Sequence, residues 1–312
     1  MAGRDVLLNY VMTVRAIEPI QPASRTYLHN ALVIAPLKTG AVAGIYECTT
    51  KAEIQEHTDA NIGAILDAGM TKVYVCAVAG YADAEALIDN TSYKFFTILV
   101  DKVFDSIPEK IDGFSGVVGW DTKTRQDAKE FEFRATEDNT GFVDGVDNTG
   151  ANMYYSFGKL LSGVRWRNQQ YAAMPETGIT NDLGVAKSLF DDRVSFVLNS
   201  EEFGNRLALF TNRGRAIVAP YIYEEFKLDL QSWALQYINT NQPDYNDVEA
   251  AKLQAYLTKK ASEKYINGGM VPTLRINIMA DQDNFVMSGF IAIAEPKATW
   301  RIDAEIQQGG DL

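Results

Sequence analysis

The chain has 312 residues, 46% hydrophobic, 22% charged and 11% aromatic, with 23 Gly and 9 Pro. That composition excludes a collagen, a coiled-coil rod and a disordered tail, and a chain of about 300 residues folds without disulfide or metal staples. With 29 basic and 41 acidic residues the net charge is −12, and no basic run is longer than Lys259-Lys260. A polyanion is repelled by such a field, so no nucleic-acid partner is expected. No apolar run approaches the roughly 18 residues of a membrane span, and the first residues, Met-Ala-Gly-Arg-Asp, show no signal-peptide pattern. Cys48 and Cys76 lie in or beside apolar runs, which suits a reducing cytosol better than a disulfide framework.

Val6 to Val14 reads as a β-branched strand that Pro19 and Pro22 cut off from the rest of the chain. Leu32-Val33-Ile34-Ala35 predicts a short buried strand. Thr50 and Glu53 form a capping-box pattern opening a helix over about 51–69, with Ile54, Ile62, Ile65 and Leu66 on one face. Val73–Val78 predicts a strand, Asp83–Ile88 a short helix and Phe95–Val100 another strand. This alternation is the signature of right-handed crossovers over a mostly parallel sheet.

From 113 to 193 the periodicity weakens. Asp-Asn-Thr-Gly occurs at Asp138–Gly141 and again at Asp147–Gly150, flanking Phe142-Val143-Asp144-Gly145-Val146, which reads as a hairpin with an Asp-Gly turn. Arg193–Leu198 and Ala216–Ala219 read as strands. Helices come next over Tyr223–Thr240, with Phe226, Leu230, Trp233 and Tyr237 on one face, and over Val248–Ile266, stopped by Asn267-Gly268-Gly269. Thr273–Met279 and Phe285–Ala294 predict paired strands. Beyond Glu295-Pro296, strict alternation places Trp300, Ile302, Ala304 and Ile306 on one face.

The motifs of chemistry are missing. Gly113, Gly116 and Gly119 are spaced by three with no Lys-Ser/Thr after them, so they read as turns and not as a phosphate loop. Gly113-Phe114-Ser115-Gly116 lacks the last glycine of a nucleophile elbow, since Val117 stands there. His29 and His57 have no triad motif around them, and Cys48, Cys76, His29 and His57 lack zinc-ligand spacing. The acidic loop with Glu137, Asp138, Asp144 and Asp147 lacks the calcium ladder. No catalytic residue, metal or cofactor is expected. What stands out is the pair of terminal strands separated by prolines from the core. Such strands cannot satisfy their backbones alone, so either they fold back on their own sheet or they add to a sheet of another subunit.

The chain resembles the sheath proteins of contractile phage tails, particularly the compact sheath-like proteins of myophages. The resemblance covers most of the length, least between 113 and 150. It is carried by Val6–Val14 leading to Leu32–Ala35, by Ile65-Leu66-Asp67-Ala68-Gly69 before Lys72–Val75, and by Tyr93–Asp101. Further on it is carried by the helices Phe226–Tyr237 and Val248–Ile266 with Asn267-Gly268-Gly269, and by the closing strands with Glu295-Pro296. It implies an α/β core domain with a mixed sheet over 20–112 and 194–296, and arms at 1–19 and 297–312. Residues 113–193 are left as an outward-facing insertion.

In that family, arms add strands to adjacent subunits and knit a helical mesh that contracts and drives the inner tube through the host envelope for genome ejection. The residues of the arms here would be Val6, Leu8, Tyr10, Met12 and Val14 at one end and Trp300, Ile302, Ala304 and Ile306 at the other. The partners implied are further copies of the chain in stacked hexameric rings, the tail tube protein, and baseplate and terminator proteins. The place implied is a virion tail assembled in the host cytoplasm, with no membrane insertion. A core-domain helix meets the tube through charge, which points to Lys252, Lys259, Lys260 and Lys264; the alternative is a solvated lysine face. Two other readings stay open: an α/β hydrolase or transferase, and a tube or terminator protein.

Overall fold

The structure is a computed structural model, and it describes residues 25–104, 117–122, 139–143, 151–162, 173–174, 182–192, 194–199, 204–208, 218–244, 246–281 and 286–293. Its centre is an eight-stranded sheet. The strands are β1 (Ala31–Pro36), β2 (Gly44–Cys48), β3 (Val73–Val78), β4 (Thr97–Val100), β5 (Val117–Thr122), β6 (Asn139–Val143), β7 (Ser195–Leu198) and β8 (Arg206–Ala208), in the order β2-β3-β1-β4-β5-β6-β7-β8. The run from β3 to β7 is parallel, and an antiparallel strand closes each end.

Parallel strands are covered on both faces, and the sequence shows it as near-continuous apolar runs. Every residue of β3 is buried. The two-residue period then sorts those side chains into two cores. Val33, Ala35, Val75, Ala77 and Leu99 face one side, where they meet α4 (Ala151–Ser162) through Met153, Tyr154, Phe157 and Leu160. Leu32, Ile34, Tyr74, Cys76, Ile98 and Val100 face the other, under Tyr81 and Ala84 of α3 (Tyr81–Asn90) and Phe104.

The helix expected over 51–69 is two: α1 (Lys51–His57) and α2 (Ala64–Asp67). The capping box forms as the sequence predicts, with Glu53 N donating to Thr50 Oγ1 at 3.2 Å and Thr50 N to Glu53 Oε2 at 3.2 Å. Thr58 ends α1. It is extended (φ −148°, ψ 152°), fully buried, and its hydroxyl accepts from Ala60 N at 3.2 Å. A β-branched hydroxyl residue that bonds its own local backbone competes with the helix ladder.

The outward-facing insertion over 113–193 is corrected wherever its residues are described. β5 and β6 lie inside the sheet between β4 and β7, and α4 fills one of its two cores. Phe142 and Val143 pair in parallel with β5 on one side and β7 on the other, so they cannot be one arm of a tight hairpin. Gly119 is no turn. It sits in β5 where a Cβ would lie 2.9 Å from Phe157 Cζ and 3.0 Å from Leu99 Cδ2, so the missing side chain makes room for α4. Asn139-Thr140-Gly141 of the first expected turn lie in β6, whereas Asp144-Gly145 and the second turn, Asp147–Gly150, fall outside the described residues. α5 (Leu183–Asp191) contributes Ala186 and Leu189 to a small core with β7 and β8.

A second correction concerns Ala216–Ala219: Val218 and Ala219 open the 24-residue helix α6 (Val218–Asn241). One side of α6 presents Tyr221 and Leu228 to the sheet core. The other presents Ile222, Phe226, Leu230, Ala234 and Tyr237 to α7 (Asp247–Ala261) and to the hairpin β9 (Leu274–Asp281) and β10 (Val286–Ile293). Asn246 caps α7 by accepting from Glu249 N at 2.9 Å. The helix ends in a π-helical turn, Ser262–Ile266, stopped by Gly269 at φ +66°.

Candidate assembly surface

Residues that would do chemistry are committed to structure. His57 stacks on Tyr46, with ring centroids 3.5 Å apart and planes 6° off parallel, and His29 Nδ1 lies 2.9 Å from Leu161 O. Both cysteines are buried, and burial pushes the Cys48 thiol up to about 11 and the Cys76 thiol up to about 12, which leaves them protonated and inert. Doubly wound sheets bind ligands beyond the carboxyl ends of their strands. There Asp101, at the end of β4, accepts from Tyr154 Oη at 2.8 Å and from Val103 N at 3.0 Å. An open cleft of about 300 Å³ is lined by Lys38, Lys51 and Asp59 among others. Its lysines are engaged: Lys51 with Asp67 at 2.7 Å, and Lys38 with Gln55 O at 2.6 Å and Asp59 at 3.5 Å. Among the described residues no group of three or more His, Cys, Asp or Glu is placed to hold a metal, and no helix is long and apolar enough to cross a membrane.

The unusual electrostatics lie on α6, which carries Glu224, Glu225, Lys227 and Asp229 at 8% exposure or less. Towards the sheet, Tyr27 Oη and Lys227 Nζ both donate to Glu224 Oε1. Burial, reinforced by the Glu224 charge, holds Tyr27 well above the ordinary tyrosine range, and burial pulls Lys227 below the ordinary lysine range. Towards α7, Lys264 Nζ donates to Glu225 Oε1 at 2.8 Å and to Asp229 Oδ2, and Tyr265 Oη donates to the same Asp229 oxygen at 2.7 Å. Both donors, Lys264 and Tyr265, lie in the π-helical turn.

That geometry revises the lysine stripe. Leu253, Leu257 and Ala261 are buried as expected, and Lys252 and Lys259 are exposed. Lys252 pairs with Glu249 at 2.6 Å, a hydrogen bond that raises its affinity for the proton. Lys260 is half-buried over the Tyr256 ring, 5.9 Å from its centroid. Lys264 points inward to buried carboxylates and is withdrawn from any outer contact. The arm residues Val6, Leu8, Tyr10, Met12 and Val14, and Trp300, Ile302, Ala304 and Ile306, lie outside the described residues.

The hairpin shows what the sequence did not. Pleating and register put Ile276, Ile278, Met287 and Ile291 on the face against α6 and α7, leaving Met279 (57% exposed) and Phe290 (64% exposed) on the other. Two large apolar side chains thus stand exposed on the outer face of a two-stranded sheet. Phe290 sits inside an apolar run, Phe290-Ile291-Ala292-Ile293, whose lack of alternation was the available signal.

No family profile and no curated protein matches the sequence, whereas solved structures match it over nearly its whole length. A chain of the anti-feeding prophage baseplate aligns with a TM-score of 0.62 at 10% identity, over 96% of this chain and 98% of that one. A chain of the contracted helical sheath of that particle aligns with a TM-score of 0.58 at 11% identity, over 96% and 98%. A chain of its contracted baseplate aligns with a TM-score of 0.57 at 10% identity, over 96% and 97%. The chain has the α/β fold of contractile tail sheath-like proteins. At these identities the likeness is one of fold.

Proposed function

We propose that the chain is a structural subunit of a contractile tail sheath. It polymerises helically, as stacked hexameric rings, around a tube and contracts to drive that tube through a cell envelope. The observation that carries this reading is the likeness, end to end on both chains, to a subunit of a contracted helical sheath. Arms at 1–19 and 297–312 add strands to neighbouring subunits, and such a tether of backbone hydrogen bonds survives rigid-body motion of the domains it joins. Heterologous contacts of this kind generate open helical arrays. Contraction releases free energy trapped behind a barrier at assembly, so the subunit needs no nucleotide and no catalytic residue. Lys252, Lys259 and Lys260 are the tube-facing candidates, and baseplate and terminator proteins close the two ends of the array.

A second reading is a sheath-like subunit confined to the baseplate, favoured by the likeness to two baseplate chains. Negative-stain microscopy separates them, since a sheath subunit forms long striated tubes and a baseplate subunit forms isolated rings. Deleting residues 1–18 or 298–312 is expected to leave a folded, soluble monomer that forms neither. Truncated chains that still build long sheaths would show that the arms are not the tether.

A further inference from the structure

Two patches of exposed apolar surface occur among the described residues, and they belong to different parts of the fold. The first lies at the carboxyl ends of the central strands. Gly44 is opposite Ala77 in the β2–β3 pair, so Val42 and Ala79, two residues further along each chain, emerge side by side. Both are exposed, Val42 at 74%. Tyr81, two residues beyond Ala79, packs edge-on against Phe104 with ring centroids 6.2 Å apart. That contact brings the turn after β4 alongside, with Val103 55% exposed. The second patch is Met279 and Phe290 on the outer face of the hairpin.

The first patch is held in place and is poor in charge. Tyr46 Oη donates to Val42 O at 2.7 Å, Ala41 N to Lys38 O at 3.0 Å, and Val103 N to Asp101 Oδ1 at 3.0 Å. Loops fastened in this way lose little freedom when something covers them. Residues 39–46 and 77–82 contain no Asp, Glu, Lys or Arg, in a chain that is 22% charged. Surface loops are ordinarily polar, so a partner with an apolar face is what this surface fits. Charge says which partner. Every copy of the chain carries −12, so two copies repel where charged faces meet and approach most readily where charge is absent.

We infer that the loop patch of one copy seats the outer hairpin face of a second, with Met279 and Phe290 set against Val42, Ala79 and Val103. This rests on the sheath reading and deepens it, since it names a side-chain contact between subunits that no strand pairing makes. A strand added to a sheet edge leaves the faces of that sheet open. Two unlike patches on one chain give a heterologous contact, which repeats from copy to copy into a ring or an open helical array. A patch that met its own likeness would close a pair instead.

The test compares the full-length chain with Val42→Glu, with Phe290→Glu, and with Val42→Glu and Phe290→Lys together. Both positions are more than half exposed, so an unchanged melting temperature of the unassembled chain reports that each variant is folded. A carboxylate covered by an apolar face with no cation should raise the protein concentration needed for sheath formation by about tenfold or more. Sedimentation and negative-stain microscopy read that concentration. In the double variant the new cation of one copy meets the new anion of the next, and assembly should return towards the parent concentration. Differently tagged Val42→Cys and Phe290→Cys chains, mixed, assembled and oxidised, should give a doubly tagged covalent dimer, since the native cysteines are buried. Single variants that assemble at the parent concentration would overturn the inference and leave the sheath reading intact. Impaired single variants with neither rescue nor disulfide would overturn the pairing of the two patches. A parent chain that forms no array would overturn the sheath reading and this contact with it.

Discussion

Lys264 offers the sharpest test of how the hairpin lobe is fastened to the sheet. It is 20% exposed and contacts Glu225 and Asp229, whose side chains are 10% and 1% exposed. Replacing it with methionine keeps the volume of the stem and removes the charge, so that two buried carboxylates lose the Lys264 cation. Breaking a buried pair by removing one partner costs about 3–5 kcal/mol, against about 0–1 kcal/mol for an exposed pair. At roughly 2–4 °C per kcal/mol, the melting temperature of Lys264→Met should fall by about 6–20 °C, measured at a concentration where the chain is unassembled. Adding Asp229→Asn to Lys264→Met should recover part of the loss, with a coupling of about 1–3 kcal/mol. A loss below about 1 kcal/mol, with no coupling, would show the cluster to be solvated and the joint between α6 and α7 to be held by apolar packing alone.

Gly158→Ala in α4 would place a Cβ 2.6 Å from Ile65 O and 2.8 Å from Ala68 Cβ. Overpacking of about 1–3 kcal/mol should outweigh the propensity gain of about 1 kcal/mol, so a urea midpoint at or above the parent value would refute the contact between α4 and α2. The Cys76 thiol, pushed up to about 12 by burial, ionises near about 8.5 when unfolded. Its stabilising contribution is therefore complete below about pH 8.5 and is lost as the pH rises towards 12, so Cys76→Ala should flatten the alkaline limb of the stability profile. Identical slopes would refute this. Lys252→Glu with Lys259→Glu should leave empty sheaths intact and abolish assembly around the tube. Tube-filled tails at normal yield would clear this helix of the contact.

How legible each element was in the sequence depends on how it is stabilised. β1, β3 and β4 bury both faces, so Leu32–Ala35, Val73–Val78 and Ile98–Val100 appear as unbroken apolar runs that any strand pattern detects. β5 and β6 sit equally deep in the sheet order, yet they contain Gly119, Asp121, Asn139 and Gly141. Their place comes from packing, with Gly119 admitting Phe157, and a local reading takes such residues for turns. Likewise α6 disguised its start, because Val218, a β-branched residue with a strand preference, opens a long helix instead. The buried charges of α6 were hidden for a related reason. Glu224, Glu225, Lys227 and Asp229 look like a solvated face until Tyr27 and Lys264, remote in sequence, are brought against them. The hairpin was plain, whereas the bond from Ile278 N to Gln254 Oε1 was not, since it depends on one glutamine of another element.

On the proposed sheath reading, the arms and the tube contact would draw on interactions of different strength. An arm strand added to a neighbour's sheet would make several backbone hydrogen bonds, each contributing about 0.5–1.5 kcal/mol net. It also buries large apolar side chains, such as Leu8 or Tyr10, that contribute about 1.5–3 kcal/mol apiece. A tube contact made by Lys252 and Lys259 draws on exposed ion pairs worth about 0–1 kcal/mol each and screened by salt. Lys252 must also give up Glu249 to join it. On the proposed sheath reading the link between subunits would outlast the grip on the tube by several kcal/mol per subunit, and a load on the lattice would release the tube contact first. The π-helical turn carries Lys264 and Tyr265, which both donate to Asp229 Oδ2, so the buried polar contacts of the hairpin lobe lie where α7 meets α6, the joint that such a load would have to cross.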